Sequence, residues 1–152
     1  MGRALRNVFD QYSQPENRVT HALLVSLDAD RSLLASFLTE VAGVKGGQPA
    51  RDLSLVEQTY PGAPSPSEED ADRRGIPDAW IFDADNWCVI VESKVLASVD
   101  ADQIARHIRT AQRRGFERIH VLILTVRRTK ASLPSGVTVV ECELLPVWLT
   151  PA

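Results

Sequence analysis

Gly75-Ile76-Pro77-Asp78-Ala79-Trp80-Ile81-Phe82 and, beyond the polar turn Asp83-Ala84-Asp85-Asn86, Trp87-Cys88-Val89-Ile90-Val91-Glu92-Ser93-Lys94 make up the stretch whose reading decides the fold. Both runs are rich in β-branched and aromatic residues, and the link between them has turn composition, so together they read as a β-hairpin. With the turn centred near residue 85, position 78 faces position 92. Glu92 and Lys94 differ by two and therefore share a face of their strand. Like charges set opposite each other destabilise a ladder, so a purely structural hairpin would avoid Asp78 against Glu92. A divalent cation between them removes the objection.

Working outward, the 152 residues make one domain over 1–152, whether entire or part of a longer protein, and a 44% hydrophobic content is ordinary for a chain with a buried core. Cys88 and Cys142 sit in predicted strands without metal-ligand spacing, which favours buried reduced thiols over a disulfide or zinc site. The N-terminal region carries Arg3 and Arg6 but no apolar signal segment, and no run is as long as a membrane span. A cytoplasmic protein with no membrane partner is expected. Net charge is −3, yet unevenly placed: Ile104 to Lys130 holds eight basic residues against Glu117, and Pro66 to Asp102 holds ten acids against Arg73, Arg74 and Lys94. A solvated arginine helix explains most such residues singly; as a group they could follow a phosphate backbone.

A first helix begins at Ser13-Gln14-Pro15-Glu16, with Val19, Leu23, Leu24 and Leu27 as its apolar stripe. A second runs from Asp30 to Gly43 and is expected to bury Leu33, Leu34, Phe37, Leu38 and Val41. Leu53 to Tyr60 reads as a strand, followed by an acidic loop from Pro61 to Asp70. After the hairpin come a helix over Asp100 to Arg114, closed by Gly115, and apolar strands over Arg118 to Val126 and Val137 to Glu143, the first buried on both faces. Short links between the first three strands predict an antiparallel meander, and the helix between Lys94 and Arg118 predicts a parallel crossover. The expected class is α/β, a mixed central sheet flanked by helices.

Pro77-Asp78 and Glu92-Ser93-Lys94, on two paired strands between helices, resemble the PD-(D/E)xK, or restriction-endonuclease-like, nuclease superfamily. The resemblance spans roughly Glu16 to Val126 and implies an αβββαβ core. Gln103-Ile104-Ala105-Arg106-His107 is similar to the glutamine-x-x-x-tyrosine motif of RecB-like nucleases, with histidine in place of tyrosine. By resemblance, Asp78, Glu92 and the backbone carbonyl of Ser93 would hold Mg²⁺, with Mn²⁺ as a substitute, and Lys94 and Gln103 would complete the catalytic group. Glu16 resembles an acidic first-helix residue that adds a metal contact in some branches. Ser13-x-x-Glu16 is also a capping box, in which Glu16 bonds back to the helix start, and that reading is preferred.

The residues by themselves allow this chemistry and a blander one. Mg²⁺ takes one or two carboxylates plus water and phosphate oxygens, which Asp78 and Glu92 can provide, but a plain salt bridge of either with Lys94 fits as well. On the third helix Gln103, His107, Thr110 and Arg114 border the apolar face of Ile104, Ile108 and Ala111, while Arg106, Arg109 and Arg113 point away. Arg114, Arg106 and His107 are the candidate nucleic-acid contacts. No phosphate-binding glycine loop, nucleophile elbow or zinc spacing of His21, His107 and His120 is present. Trp80, Trp87 and Trp148 could stack on bases, although such residues at strand spacing more often pack a core. The expectation is a metal-dependent DNA endonuclease of defence or repair, acting as a homodimer or within a larger assembly. The alternative is a catalytically idle relative that binds nucleic acid or protein through the same scaffold.

Overall fold

The hairpin forms in the register its sequence implies. In a computed structural model, which describes residues 13–44, 49–62, 75–126 and 132–141, strand β2 (Ala79–Phe82) runs antiparallel to β3 (Trp87–Lys94), pairing Ala79 with Val91 and Phe82 with Cys88. Continuing that register one step places Asp78 opposite Glu92. The turn is fixed by Asp83, a buried residue whose Oδ1 accepts from the amides of Asp85 (2.9 Å) and Trp87 (3.0 Å), while its own amide donates to the Trp87 carbonyl (3.1 Å). An aspartate bonding its own backbone two residues on is the local chemistry that makes this composition a turn.

Strand β1 (Ser54–Glu57) pairs antiparallel with β2, and β4 (Arg118–Thr125) pairs parallel with β3, as the meander and crossover readings require. Strand β5 (Val137–Glu141) adds a second parallel pair, giving a five-stranded mixed sheet in the order β1-β2-β3-β4-β5. Helices α1 (Pro15–Ala29) and α2 (Arg31–Ser36) cover one face and α3 (Ala101–Arg113) the other. Alternation along β3 divides its side chains between two cores. Trp87, Val89 and Val91 pack with Leu24, Leu27 and Leu34 beneath α1 and α2, whereas Cys88 and Ile90 pack with Ile104, Ala111 and Phe116 beneath α3. The middle of β4 is buried on both faces, as its unbroken apolar run predicts. Cys88 is a free buried thiol, pushed up to about 12 by burial and by neighbouring Asp83.

Three expectations need correction. Strand β1 ends at Glu57 rather than Tyr60, because Gln58 adopts φ +52° and leaves the extended conformation. The second helix starts where predicted, with Asp30 Oδ1 accepting from the amides of Ser32 and Leu33, and stops before Gly43 at φ +63°. Its end widens, however, into a π-helical turn over Phe37–Val41 in which the Ala42 amide reaches back to the Phe37 carbonyl. The wider turn shifts the face presented to the sheet, so Leu34 and Leu38 are buried while Val41 is 43% exposed. Leu33, 46% exposed, lies off a stripe narrower than predicted. Trp80 and Trp87, by contrast, pack in the core, as their strand spacing favours.

Arg3, Arg6, Glu68, Glu69, Asp70, Asp72, Arg73, Arg74, Arg127, Arg128, Lys130, Cys142 and Trp148 lie outside the described residues. Among those described, no helix is long and apolar enough to cross a membrane.

Because Asp83 sets the hairpin register, Asp83→Ala is expected to cost about 1.5–3 kcal/mol, the range for losing hydrogen bonds to a charged group. Asp83→Asn, which keeps an acceptor, should cost less. Urea unfolding of the two variants checks this; equal stability of parent and Asp83→Ala would show that the turn is set elsewhere.

Candidate active site

At the carboxyl end of β3, where β2 begins and β1 has just ended, charged and polar side chains take over from the apolar alternation. Glu92 and Lys94 follow Cys88 and Ile90 onto the α3 face, and Asp78 follows Trp80 by the same parity. The N-terminal half of α3 brings Gln103 and His107 to the same place. Helix α3 is positioned by Asp100, whose Oδ1 caps it by accepting from the amides of Asp102 (2.9 Å) and Gln103 (3.3 Å). Asp78, Glu92, Ser93, Lys94 and Gln103 line one cleft of about 360 Å³, together with Glu16 and Asn17 from α1.

The contacts within this group are short. Lys94 Nζ lies 3.0 Å from Glu92 Oε1 and donates to Gln103 Oε1 at 2.8 Å. His107 Nε2 approaches Glu92 Oε2 to 3.4 Å, within ion-pair distance. Asp78 Oδ2 accepts from the Ser93 amide at 2.7 Å, and Glu92 Oε2 lies 3.5 Å from the Asp78 amide. In an extended strand a residue's N–H and C=O point to the same side, so the Ser93 carbonyl also faces the β2 side, just past the point where that strand begins.

Burial gives the two carboxylates opposite tendencies. Although Asp78 keeps some surface open to the cleft, protein atoms crowd its carboxyl; that desolvation first, and neighbouring Glu92 second, lift it well above the usual aspartate range. The Ser93 amide, Lys94 and Gln58 oppose the rise without cancelling it. For Glu92 burial is again the largest influence and pushes upward, but the His107 imidazole and the Lys94 ammonium together outweigh it and hold Glu92 below its ordinary value. The two carboxyls are thus pushed in opposite directions, Asp78 toward holding its proton and Glu92 toward losing it.

Glu16 does not act as a capping-box residue. The helix N-cap is Gln14, with no side-chain cap bond, and Glu16 Oε1 instead accepts from the amides of Val95 (3.3 Å), Leu96 (2.7 Å) and Ala97 (3.4 Å). It thus ties the loop after Lys94 to α1 at the edge of the same cleft. His107, taken from the sequence as a nucleic-acid contact, is 2% exposed and belongs to the carboxylate cluster. Arg114 lies past the end of α3, its guanidinium 4.1 Å over the Tyr60 ring and donating to the Pro61 carbonyl at 3.4 Å. At 1.5 Å rise per residue it is about 16 Å along the axis from Gln103. Arg106, Arg109 and Arg113 are exposed on the side of α3 away from the sheet.

Sequence reasoning missed Asn17, Thr20 and Gln58. Thr20 Oγ1 and Ser93 Oγ lie 2.7 Å apart, and Gln58 Nε2 donates to Asn17 Oδ1 at 2.9 Å. The signal for the first two was present: Glu16, Asn17 and Thr20 make a polar stripe at helical spacing on a helix that buries Leu24 and Leu27 farther along. Gln58 carried none.

Two carboxylates and a strand carbonyl on one cleft fit a hard cation. Mg²⁺ takes most of its ligands from water and phosphate, so few protein oxygens are needed to hold it. Comparison of the chain with protein-family models, curated proteins and solved structures finds no match, so the geometry alone carries the reading of this site.

The raised Asp78 value fixes the sign of a pH effect. Unfolded Asp78 loses its proton near 3.8 while folded Asp78 retains it to higher pH, so the unfolded state binds fewer protons and stability falls as pH climbs from 3.8 toward the folded value. Glu92 has the opposite sign: its contribution is present above 4.5 and is lost as pH drops through its lowered folded value. Asp78→Asn in EDTA should therefore be more stable than the parent at neutral pH, with the gap closing below 3.8. Parallel stability-pH curves from urea unfolding would refute the upward shift of Asp78.

Proposed function

We propose that this chain is a metal-dependent nuclease with a restriction-endonuclease-like αβββαβ core, hydrolysing phosphodiester bonds of DNA as an endonuclease in defence or repair. The observation that carries the proposal is the convergence of Asp78, Glu92, Lys94 and Gln103 on one cleft at the carboxyl end of β3. The order α1, β1, β2, β3, α3, β4 agrees with such a core. Open α/β sheets generally hold their ligands outside the carboxyl ends of parallel strands, where β3 and β4 bring this cleft.

Asp78, Glu92 and the Ser93 carbonyl are the groups that would hold Mg²⁺ or Mn²⁺. The chemistry such a cation supplies is acidification of a water and neutralisation of charge on the phosphate. Asp78 must give up its proton to ligate, so cation affinity rises with pH. Lys94 has three donors, of which Glu92 and Gln103 engage two, leaving one to orient a water or stabilise phosphate oxygens. Gln103 fixes the Lys94 side chain, and His107 holds Glu92 from behind. A second copy of the chain would supply the cut on the other strand of a duplex.

Purified protein should nick or linearise plasmid DNA in Mg²⁺ or Mn²⁺ and not in EDTA. Asp78→Ala or Glu92→Ala should abolish cleavage in protein whose fold is verified by circular dichroism. Lys94→Ala should lower the turnover rate by about 10²–10⁴-fold, the range for a positioned proton-transfer or charge-stabilising group. Cleavage that survives the Asp78 and Glu92 replacements would overturn the proposal. Salt-sensitive DNA binding without cleavage would instead assign the chain to the idle binding class.

Exposed Arg106, Arg109 and Arg113 remain candidates for backbone contact. If they make it, replacing them by glutamine should weaken binding to all sequences and flatten its log–log salt slope by about 0.9 per lost phosphate contact. An unchanged slope would place the DNA path elsewhere.

A further inference from the structure

Gln58 stands where β1 ends, and it is the one non-glycine residue among those described with φ in the left-handed region, at +52°. Glutamine is not a residue that takes this conformation readily; glycine and asparagine are. Strained backbone of this kind persists where the surroundings over-determine it, and it concentrates at functional sites. Here the surroundings can be named. The Gln58 amide donates to the Asp78 carbonyl at 2.9 Å, extending the β1–β2 ladder by one step beyond Glu57 and Ala79.

Strand alternation would send the Gln58 side chain to the α3 face, alongside Val56, which packs against that core. The left-handed turn redirects it. The side chain is buried, and its Nε2 bridges Asn17 Oδ1 of α1 at 2.9 Å and Asp78 Oδ1 at 3.4 Å. Asn17 is itself buried, so the bridge joins a helix to the mouth of the hairpin through protein rather than water. Asp78 is thereby held by both oxygens: Oδ2 by the Ser93 amide and Oδ1 by Gln58. A glycine would fit the same turn without strain and without the bridge.

We propose that Gln58 is a positioning residue that fixes the Asp78 carboxyl, through its bridge to Asn17, in the orientation needed to hold a divalent cation in the cleft. The proposal rests on the reading of Asp78 as a metal ligand given above. Second-layer partners of ligating carboxylates set metal affinity by holding the ligand in place, and their removal generally weakens it by about 10–100-fold.

Gln58→Gly tests it, because glycine adopts the left-handed conformation freely, so the variant loses the side-chain bridge without new backbone strain and is expected to fold, as urea unfolding will verify. Mn²⁺ binding, followed by calorimetry without substrate, should weaken by about 10–100-fold. In an Asp78→Asn background the same replacement should change Mn²⁺ affinity by less than about twofold, since the coupling it breaks is already gone. A metal-independent readout accompanies these: the Ser93 amide resonance in EDTA should move, and its hydrogen exchange quicken, as its bond to Asp78 loosens. Unaltered Mn²⁺ affinity together with an unmoved Ser93 amide in folded Gln58→Gly would reduce Gln58 to a turn residue and overturn the proposal. Weakened Mn²⁺ binding in a parent that cleaves no nucleic acid would sink the nuclease reading while sustaining this one. Should the parent bind no Mn²⁺, the Ser93 amide decides: displaced, Gln58 orients Asp78; unmoved, it does not.

Discussion

A carboxylate buried at the end of a sheet has to be paired, and the pairing of Glu92 organises everything around it. Glu92 is 3% exposed, its Oε1 meets the Lys94 ammonium, and its Oε2 faces His107. Taking an ion out of water costs several kcal/mol unless partners compensate, so the chain cannot bury Glu92 without delivering these two groups. Lys94 comes free of any topological demand, being two residues along the same strand. His107 does not; it requires α3 to cross back over the sheet with one face turned to the end of β3. The Asp100 cap starts that helix in place, and Ile104 and Ala111 on the same helix anchor it to the α3-side core.

The pairing of Glu92 has a consequence for its neighbour. Lys94 and His107 favour the ionised form of Glu92, and an ionised Glu92 opposes ionisation of Asp78 across the ladder. Two carboxyl groups in one cleft are thus pushed apart by their environments, Asp78 upward and Glu92 downward. The Ser93 amide and the Gln58 side chain hold the Asp78 oxygens meanwhile. On the reading proposed here, admission of a divalent cation is linked to loss of one proton, and the group that loses it is already oriented.

Most of the fold could be read in the chain because its signals are local. The Asp83 turn, the alternation of β3, the Asp30 and Asp100 caps and Gly115 at φ +96° after α3 each depend on residues within a few positions of one another. The convergence of Asp78 with Glu92 and Lys94 belongs to the same class, since a hairpin register needs only the turn. What could not be read depends on long-range encounters. Glu16 meets amides about eighty positions away, a partner no capping pattern can anticipate, and Gln58 acquires its role from a backbone conformation for which glutamine has no preference. The π-helical turn after α2 is likewise invisible to a periodicity of 3.6, which places Val41 on the buried side although it is exposed.

Where local rules fail in this protein is itself informative. Across the body of the sheet, propensity, alternation and burial agree, and the apolar residues of β3 and β4 pack as their pattern dictates. At one end the agreement stops. There the chain sets two acids against each other and holds a glutamine in a left-handed conformation. Each departure is unfavourable when taken alone, and the two meet at one cleft. Sequences that specify a structure consistently tend to break their own rules where something other than stability is being selected. A cation between Asp78 and Glu92 would turn the first of these liabilities into an attraction, and it would give Gln58 a reason for its strain.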